Sequence, residues 1–440
     1  MKKFLFLCLT ALILQASCFA YDAEVDGIYY NLNTASRTAE VTYLSTVNNY
    51  TAYKGSVDIP SIVKYDNTTY VVTSIGNSAL AYCSDLTSVT IPESVTSIGK
   101  YAFQESYCLT EVTIPSSVTS IGEQAFYWCS SLTSVTIPNS VTSIESYTFA
   151  YCDSLTSMTI PNSVISIGKS AFYHCYHLSS VTIPEFVTSI GESVFNYCSS
   201  LTSVTIPNSV TSIEDYAFQN CRSLTSVTIP DGVTSIGNSA FEGCSSLTSI
   251  TIPEDVTSIG SYAFRDCTGL TKATINSSTS GTYTFSGCNS LKEATIGSSV
   301  TNIGTSVFDT CESLESVVIG SSVTEIEDYV FWFCTNLSSV ISLNLEPPTC
   351  ASNTFGYVDT SSCTLTVPEG SKDAYSVANV WKEFYNIVED PSLGVNAASA
   401  TDDEQEVSRY TLDGKQVNTP QKGVNIIRYS YGTTKKVLVK

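Results

Sequence analysis

At 440 residues the chain is long enough for two or three ordinary domains, yet only 14% of its residues are charged and 16 are cysteines. That composition suits one extended array with short ends better than a set of globules. A formal net charge of −21 repels phosphate backbones and argues against nucleic acid as a partner.

Residues 1–20 read as a signal peptide. Lys2 and Lys3 form a charged start, residues 4–14 an apolar stretch, and Cys18-Phe19-Ala20 a small-x-small cleavage site. Gln15-Ala16-Ser17-Cys18 also suggests a lipoprotein signal, although Gln15 stands where such signals usually carry an aliphatic residue. No later apolar run reaches the roughly 18 residues of a membrane span, so the exported body is expected to be soluble. Within residues 21–55, Asp26-Gly27-Ile28-Tyr29-Tyr30 and Ala39-Glu40-Val41-Thr42-Tyr43 alternate polar and apolar groups and predict a β-hairpin cap.

From Leu86 the chain repeats itself. Leu86, Leu109, Leu132, Leu155, Leu178, Leu201, Leu224, Leu247 and Leu270 fall 23 residues apart; one step of 21 leads to Leu291, and steps of 23 resume at Leu314 and Leu337. A fixed period of this length signals stacked units, each too small to bury its own apolar face. Within one unit, Leu86, Val89 and Ile91 predict a short strand rich in β-branched residues. Pro92 ends the strand, Val95 and Ile98 return inward, Gly99 allows a bend, and Ala102 with Phe103 fills the back. Residues 56–345 are therefore expected to form a solenoid of parallel short strands in 23-residue coils. The coil from Leu270 to Asn289 lacks two residues, and Asn276-Ser-Ser-Thr-Ser-Gly281 replaces its Pro, Val and Ile-Gly pattern. A kink or weakened packing is expected there.

The spacing Leu-x-x-Val-x-Ile-Pro followed by Val-x-x-Ile-Gly-x-x-Ala-Phe-x-x-Cys resembles the BspA-like (Treponema-type) leucine-rich repeats of bacterial surface proteins, over about residues 57–340. In place of the asparagine ladder of the common leucine-rich consensus, Pro92, Pro115 and Pro138 mark the region after the strand. The resemblance implies surface display, adhesion, and recognition of host or bacterial surface proteins or glycans.

Eleven cysteines, from Cys83, Cys129 and Cys152 to Cys334, each precede a repeat leucine by three residues, while Cys108 is displaced. An exported, cysteine-rich chain suggests disulfides, but one cysteine per coil at one position reads as a small apolar plug. Cys350 and Cys363 fall after the array and are candidates for a disulfide. The segment 346–390, through Val367-Pro368, Tyr375, Trp381 and Phe384, is expected to cap the last coil against edge pairing. An acidic linker over 391–407 contains Asp402-Asp403-Glu404. Residues 408–440 predict a small β module with a turn at Asp413-Gly414. This tail resembles the C-terminal sorting domain of type IX secretion in Bacteroidetes, which implies carriage across the outer membrane and a tail that is removed or used for attachment.

Chemistry-bearing constellations are sparse. His174 and His177 flank Cys175, but the cysteine position faces inward and the histidines occupy outer positions, so no metal site is expected. No nucleophile elbow or phosphate loop occurs, and no cofactor is implied. Glu123, Glu145, Glu192 and Glu214 recur beside the bend and read as a solvated row, with a glycan-processing carboxylate pair as the enzymatic alternative. Two outer surfaces are candidates for binding. Ser88 and Thr90 recur as Ser134 and Thr136, Ser157 and Thr159, Ser203 and Thr205, and Ser226 and Thr228, making a hydroxyl lattice. Tyr82, Trp128, Tyr151, His174 and Tyr197 share one position, with Tyr127 and Tyr173 beside them, until Asn220 ends the run. Coil-to-coil stacking explains such a stripe, and so does ligand contact. The expected role is a secreted, non-catalytic recognition protein on a bacterial outer surface, with a spacer or surface-layer component as the structural alternative.

Overall fold

The computed structural model describes residues 21–44 and 53–393, together with the strands Glu406–Thr411, Gln416–Val417, Gly423–Tyr429 and Thr434–Val439. The expected signal segment with Cys18, the acidic run 402–404 and the Asp413-Gly414 turn lie outside the described residues. Contacts divide the chain into two units, Met1–Glu389 and Asp390–Lys440.

The first unit is a right-through β-solenoid of about 14 turns. Its front strand row begins at Gly55–Asp58 and Leu86–Thr90, which pair in parallel, and the same direction is kept through Ser339–Ser342 and Thr364–Pro368. Like pairs with like: Ser157, Met158 and Thr159 lie opposite Ser180, Val181 and Thr182, which lie opposite Ser203, Val204 and Thr205. Where strand geometry lapses the coils remain bonded, as by Thr156 N to Thr133 O at 3.4 Å. Pro92 closes the strand as expected, and its carbonyl accepts from Val95 N at 3.0 Å to start the turn. A second row of short strands follows, among them Ser97–Ile98 and Ser120–Ile121.

Leu, Val, Ile, Ala and Phe of the repeat are buried along the whole array. The phenylalanines form one column. Rings from Phe103 through Phe126, Phe149, Phe172 and Phe195 to Phe355 stack on their neighbours with centroids 4.9–5.7 Å apart and planes within 16°. Each such pair adds about 0.5–1.5 kcal/mol beyond the area it buries.

The cysteines form a second internal column and are free thiols. From Cys129 to Cys334 each donates to a phenylalanine carbonyl of the preceding coil, as in Cys129 Sγ to Phe103 O at 3.1 Å, Cys198 Sγ to Phe172 O at 3.2 Å and Cys334 Sγ to Phe308 O at 3.2 Å, while Cys83 Sγ, at the start, donates to Ala81 O at 3.6 Å. In the coil whose cysteine is displaced, Ser106 occupies the plug position and its hydroxyl donates to Leu80 O at 2.7 Å. The position thus selects a small side chain with a donor, a requirement the apolar-plug reading did not contain. Cys350 and Cys363, the candidates for a disulfide, are free thiols in this structure as well. Cys350 ends a strand of the second row, paired with Ile326, whereas Cys363 precedes the front-row strand Thr364–Pro368.

At the short coil the expectation of weakened packing is corrected. Lys272–Ile275 pairs over four residues with Ser249–Ile252 on one side and Glu293–Ile296 on the other. Phe285 stacks at 5.4 and 5.6 Å on its neighbours. The missing residues interrupt only the second row, which stops at Ser258–Ile259 and resumes at Asn302–Ile303. Buried hydroxyls bridge the gap: Gly304 N donates to Ser280 Oγ at 2.8 Å, and Thr284 Oγ1 donates to Ser280 O at 2.6 Å.

Both ends of the stack are covered. Ala23–Val25, Ile28–Asn33 and Thr38–Thr42 form an antiparallel meander, one strand more than the predicted hairpin. Its last strand pairs in parallel with Thr68–Ile75, the start of the second row. At the other end the short helix Lys372–Val377 places Tyr375 in the core, with Trp381 and Phe384 against Phe355 at 5.6 and 5.1 Å. Trp381 Nε1 donates to Pro348 O at 2.8 Å. The second unit contains an antiparallel sheet in which Glu406–Thr411 pairs with Gln416–Val417 and Gly423–Tyr429, and the latter with Thr434–Val439.

Burial pushes the internal thiols up, Cys83 to about 11 and Cys244 to about 12, against an ordinary value near 9.0. A raised folded-state value means that the folded chain holds its thiol protons after the unfolded chain has lost them. Stability is therefore intact below the unfolded value and falls as pH rises from about 9 toward 11, by up to about 1.4 kcal/mol per pH unit for each such thiol. Urea unfolding followed between pH 7 and pH 10.5 checks this, and a flat profile there would contradict it. Unfolding without reductant in a thiol reagent should titrate all fourteen cysteines from Cys83 to Cys363; a shortfall of two would restore a disulfide.

Candidate functional site

The third side of each coil is a pair of turns. In the coil of Trp128, Tyr127 N donates to Gln124 O and Cys129 N to Phe126 O, both at 3.1 Å. Between these bonds the chain reverses through two left-handed residues, Gln124 at φ 56° and Trp128 at φ 60°. That geometry aims N–H groups at the following coil: Phe126 N donates to Thr148 O and Trp128 N to Ala150 O, both at 2.9 Å.

The left-handed region costs an L-residue with a side chain about 1–2 kcal/mol, and Gly, Asn and Asp tolerate it best. Asn220, Gly243, Asp266 and Gly287 occupy this column in the later coils. Trp128, Tyr151, His174 and Tyr197 occupy it in the earlier ones, at φ 59–61°. A second left-handed column holds Tyr101, Tyr147, Tyr216, Tyr262, Tyr283 and Tyr329 along the length of the array, so tyrosine there is a general feature of the repeat. The first column is different: four consecutive coils carry the rings of Trp128, Tyr151, His174 and Tyr197, the next four carry Asn, Gly, Asp and Gly, and an aromatic returns only at Phe333.

All six singled-out residues come together. Trp128, Tyr151, His174 and Tyr197 stack in sequence with centroids 4.8, 4.8 and 4.5 Å apart and planes tilted by 32–34°. Tyr127 and Tyr173 close against this ladder edge-on, at 5.6 and 5.3 Å from Tyr151. Tyr107 and Tyr176 also join, edge-on to Trp128 at 6.1 Å and to His174 at 5.0 Å. Neither follows the period of the column, which is why spacing did not mark them. Glu105 holds the column position between Tyr82 and Trp128, and its carboxylate accepts from Tyr107 OH at 2.6 Å. Trp128, Tyr107 and Tyr176 are more than one-third exposed and the other rings half-buried.

Burial among the rings holds the His174 imidazole below its ordinary 6.5, so it is neutral at pH 7, and pushes Tyr151 up to about 12, with Tyr173 adding to the effect. His174 Nδ1 shares a short hydrogen bond with the Tyr176 hydroxyl, whereas His177 Nδ1 donates to Asp153 O at 2.6 Å and Cys175 Sγ points inward to Phe149 O at 3.1 Å. The three potential ligands thus diverge, and no metal-holding cluster of His, Cys, Asp or Glu occurs among the described residues. Burial also raises the carboxyl of Asp153, with His177 opposing the shift.

The recurring carboxylates each have a partner, and Glu214 also accepts from Glu192 N at 3.1 Å. Glu123 pairs with Lys100 at 3.1 Å and Glu192 with Lys169 at 2.8 Å, while Glu145 accepts from Ser143 Oγ at 2.7 Å and Glu214 from Ser189 Oγ at 2.9 Å. The hydroxyl lattice exists as an exposed, in-register face, and Ser226 joins it through a bridge to Ser203. Neighbouring hydroxyls are used between coils, as in Thr225 Oγ1 to Thr202 O at 3.2 Å.

Two opposing costs meet in the ladder. Tyr151→Asn and Tyr197→Asn each relieve about 1–2 kcal/mol of backbone strain and lose ring contacts worth about 0.5–1.5 kcal/mol apiece. Tyr197→Asn, with two ring contacts at stake against Tyr151's four, is expected to stay within about 2 kcal/mol of the parent in urea unfolding; a loss above about 3 kcal/mol there would make the rings a structural staple.

Among the described residues no helix is long and apolar enough to cross a membrane. The sequence profile of the "BspA type Leucine rich repeat region (6 copies)" matches residues 73–202, 188–283 and 278–373. A leucine-rich repeat protein from Bacteroides ovatus ATCC 8483, solved at 1.19 Å, is 29% identical over 84% of this chain and 100% of its own, with a TM-score of 0.65. A leucine rich cell surface protein from Faecalibacterium prausnitzii A2-165 is 33% identical over 73% of this chain and 94% of its own, with a TM-score of 0.49. A search of curated proteins finds no match. With the profile running across the array that the Phe and Cys columns build, the chain belongs to the BspA-type leucine-rich-repeat family.

Proposed function

We propose that this chain is an exported, non-catalytic recognition protein that meets a host or bacterial surface protein or glycan through the aromatic ladder of Tyr127, Trp128, Tyr151, Tyr173, His174 and Tyr197. One observation carries the reading: four bulky rings occupy left-handed backbone positions in consecutive coils, where the next four coils use Asn, Gly, Asp and Gly. Strain retained where an easier residue is available points to use of the side chain, and Tyr and Trp supply contact area at low entropic cost. The signal-like residues 1–20 and the acidic composition support secretion or display on the bacterial surface. In this reading the C-terminal β module serves type IX-like export or attachment.

A spacer without a ligand is the second reading, favoured by the ring-on-ring stacking of the ladder. A printed array of host-matrix proteins and glycans, probed with the chain from Tyr21 onward, separates the two. Binding that falls about tenfold or more in Tyr151→Asn plus Tyr197→Asn supports recognition. Uniform silence supports the spacer, and turnover of a glycan would revive the carboxylate alternative.

A further inference from the structure

The left-handed turn column becomes aromatic a second time at the far end of the array. Phe333 and Tyr357 stand there at φ 57° and 68°, with Tyr329 of the companion column at 61°. Phe333 and Tyr357 stack with centroids 4.1 Å apart and planes 10° apart. Trp332 stands edge-on to Tyr357 at 4.9 Å and to Tyr329 at 5.0 Å. Its ring lies directly on Gly356, where an added Cβ would come within 2.2 Å of Cε3 and Cζ3. Tyr357 is 64% exposed. It therefore offers a ring face to solvent while Phe333 backs the other, unlike the rings of the Trp128–Tyr197 ladder, which cover one another.

Immediately after Tyr357 the chain enters a surface groove lined by Val358, Asp359, Ser361, Lys382, Glu383 and Tyr385. Tyr385 is 82% exposed at its rim. Two carboxylates and one ammonium leave no strong field of either sign, and hydroxyl, ammonium and carboxylate groups provide both donors and acceptors. An open ring face suits a flat C–H surface, and a mixed donor–acceptor rim suits hydroxyl groups. Pyranoses with equatorial hydroxyls carry both, with C–H groups on the face and O–H groups around the edge.

We propose that Trp332, Phe333 and Tyr357, with the groove from Asp359 to Tyr385, form a binding subsite for a neutral oligosaccharide of equatorial pyranoses. The site rests on different residues from the ladder and stands whether or not the ladder binds a partner.

The chain has three tryptophans, Trp128, Trp332 and Trp381, and Trp381 is fully buried. In Trp128→Phe the responsive emission therefore belongs to Trp332, separating this subsite from the ladder. Titration of that variant with cellohexaose, laminarihexaose and chitohexaose is expected to give a saturable emission change with at least one of them, half-complete below about 1 mM. Tyr357→Ser, at an exposed position, should weaken it about tenfold or more with unchanged far-ultraviolet circular dichroism. Gly356→Ala, which displaces the Trp332 ring, should do the same. No saturable change with any of the three sugars, a response that survives Tyr357→Ser, or a response to reduced, unfolded casein alone would each overturn the proposal.

Discussion

The molecule depends on one constraint: every coil must present to the next the backbone register that it receives from the last. A coil of 23 residues buries too little to hold itself together, so its stability resides in its neighbours. The bonds run both ways along the stack. Strand-side amides such as Thr110 N reach back to Thr87 O at 2.9 Å, while turn-side amides such as Trp128 N reach forward to Ala150 O at 2.9 Å. Each coil is thereby held on two sides, and a change in the length of one is passed to its neighbours unless something absorbs it. The short coil shows how that is done. The front strands and the phenylalanine column keep their spacing, and the two missing residues are taken from the second row, where Ser280 and Thr284 supply the lost hydrogen bonds.

The same constraint explains why interior positions repeat so closely. A column of rings at 4.9–5.7 Å leaves no room for a residue of another shape, and interiors packed this tightly resist changes of even one methylene. The cysteine column follows the same rule with a polar condition added. Its thiols from Cys129 onward meet phenylalanine carbonyls of the previous coil, each of which already accepts an amide in its own turn, so the thiol takes the carbonyl's second lone pair. Ser106 likewise donates to Leu80 O, with oxygen in place of sulfur. Burial keeps these thiols protonated, and a protonated thiol is a poor nucleophile. A chain can thus carry a buried cysteine in nearly every coil with its thiol held in the less reactive, protonated form.

Much of this was legible in the sequence, because a period of 23 with Leu, Val, Ile, Phe and Cys at fixed offsets encodes both the stacking direction and the buried face. The less legible parts share a physical cause, since they depend on backbone conformation or on neighbours that periodicity does not rank. The left-handed φ of Trp128 and Tyr151 leaves no mark when the residue is aromatic, although Asn, Gly and Asp in the same column hint at it. Tyr107 joins the ladder although it lies outside the column, and Tyr357 follows Phe333 by 24 residues, one beyond the repeat. Cys350 and Cys363 both follow the array, and spacing does not show that one ends a second-row strand while the other precedes a front-row strand.

A fold in which interior columns are so restricted leaves variation to the outside, and that is where specificity can be read. The front face is a field of Ser and Thr whose hydroxyls are partly spent between coils. The turn face carries large side chains at both ends and small polar ones between, in a backbone conformation that penalises the large ones. The two aromatic patches differ in kind. In the first the rings cover one another, leaving edges, hydroxyls and one exposed indole to solvent, which suits a partner that hydrogen-bonds along the stack. In the second the stack ends, and a stack that ends exposes a face. Rings set into a rigid ladder would lose little entropy if a partner settled on them, so the packing that makes the aromatic turns structurally tolerable also favours the contact proposed for them.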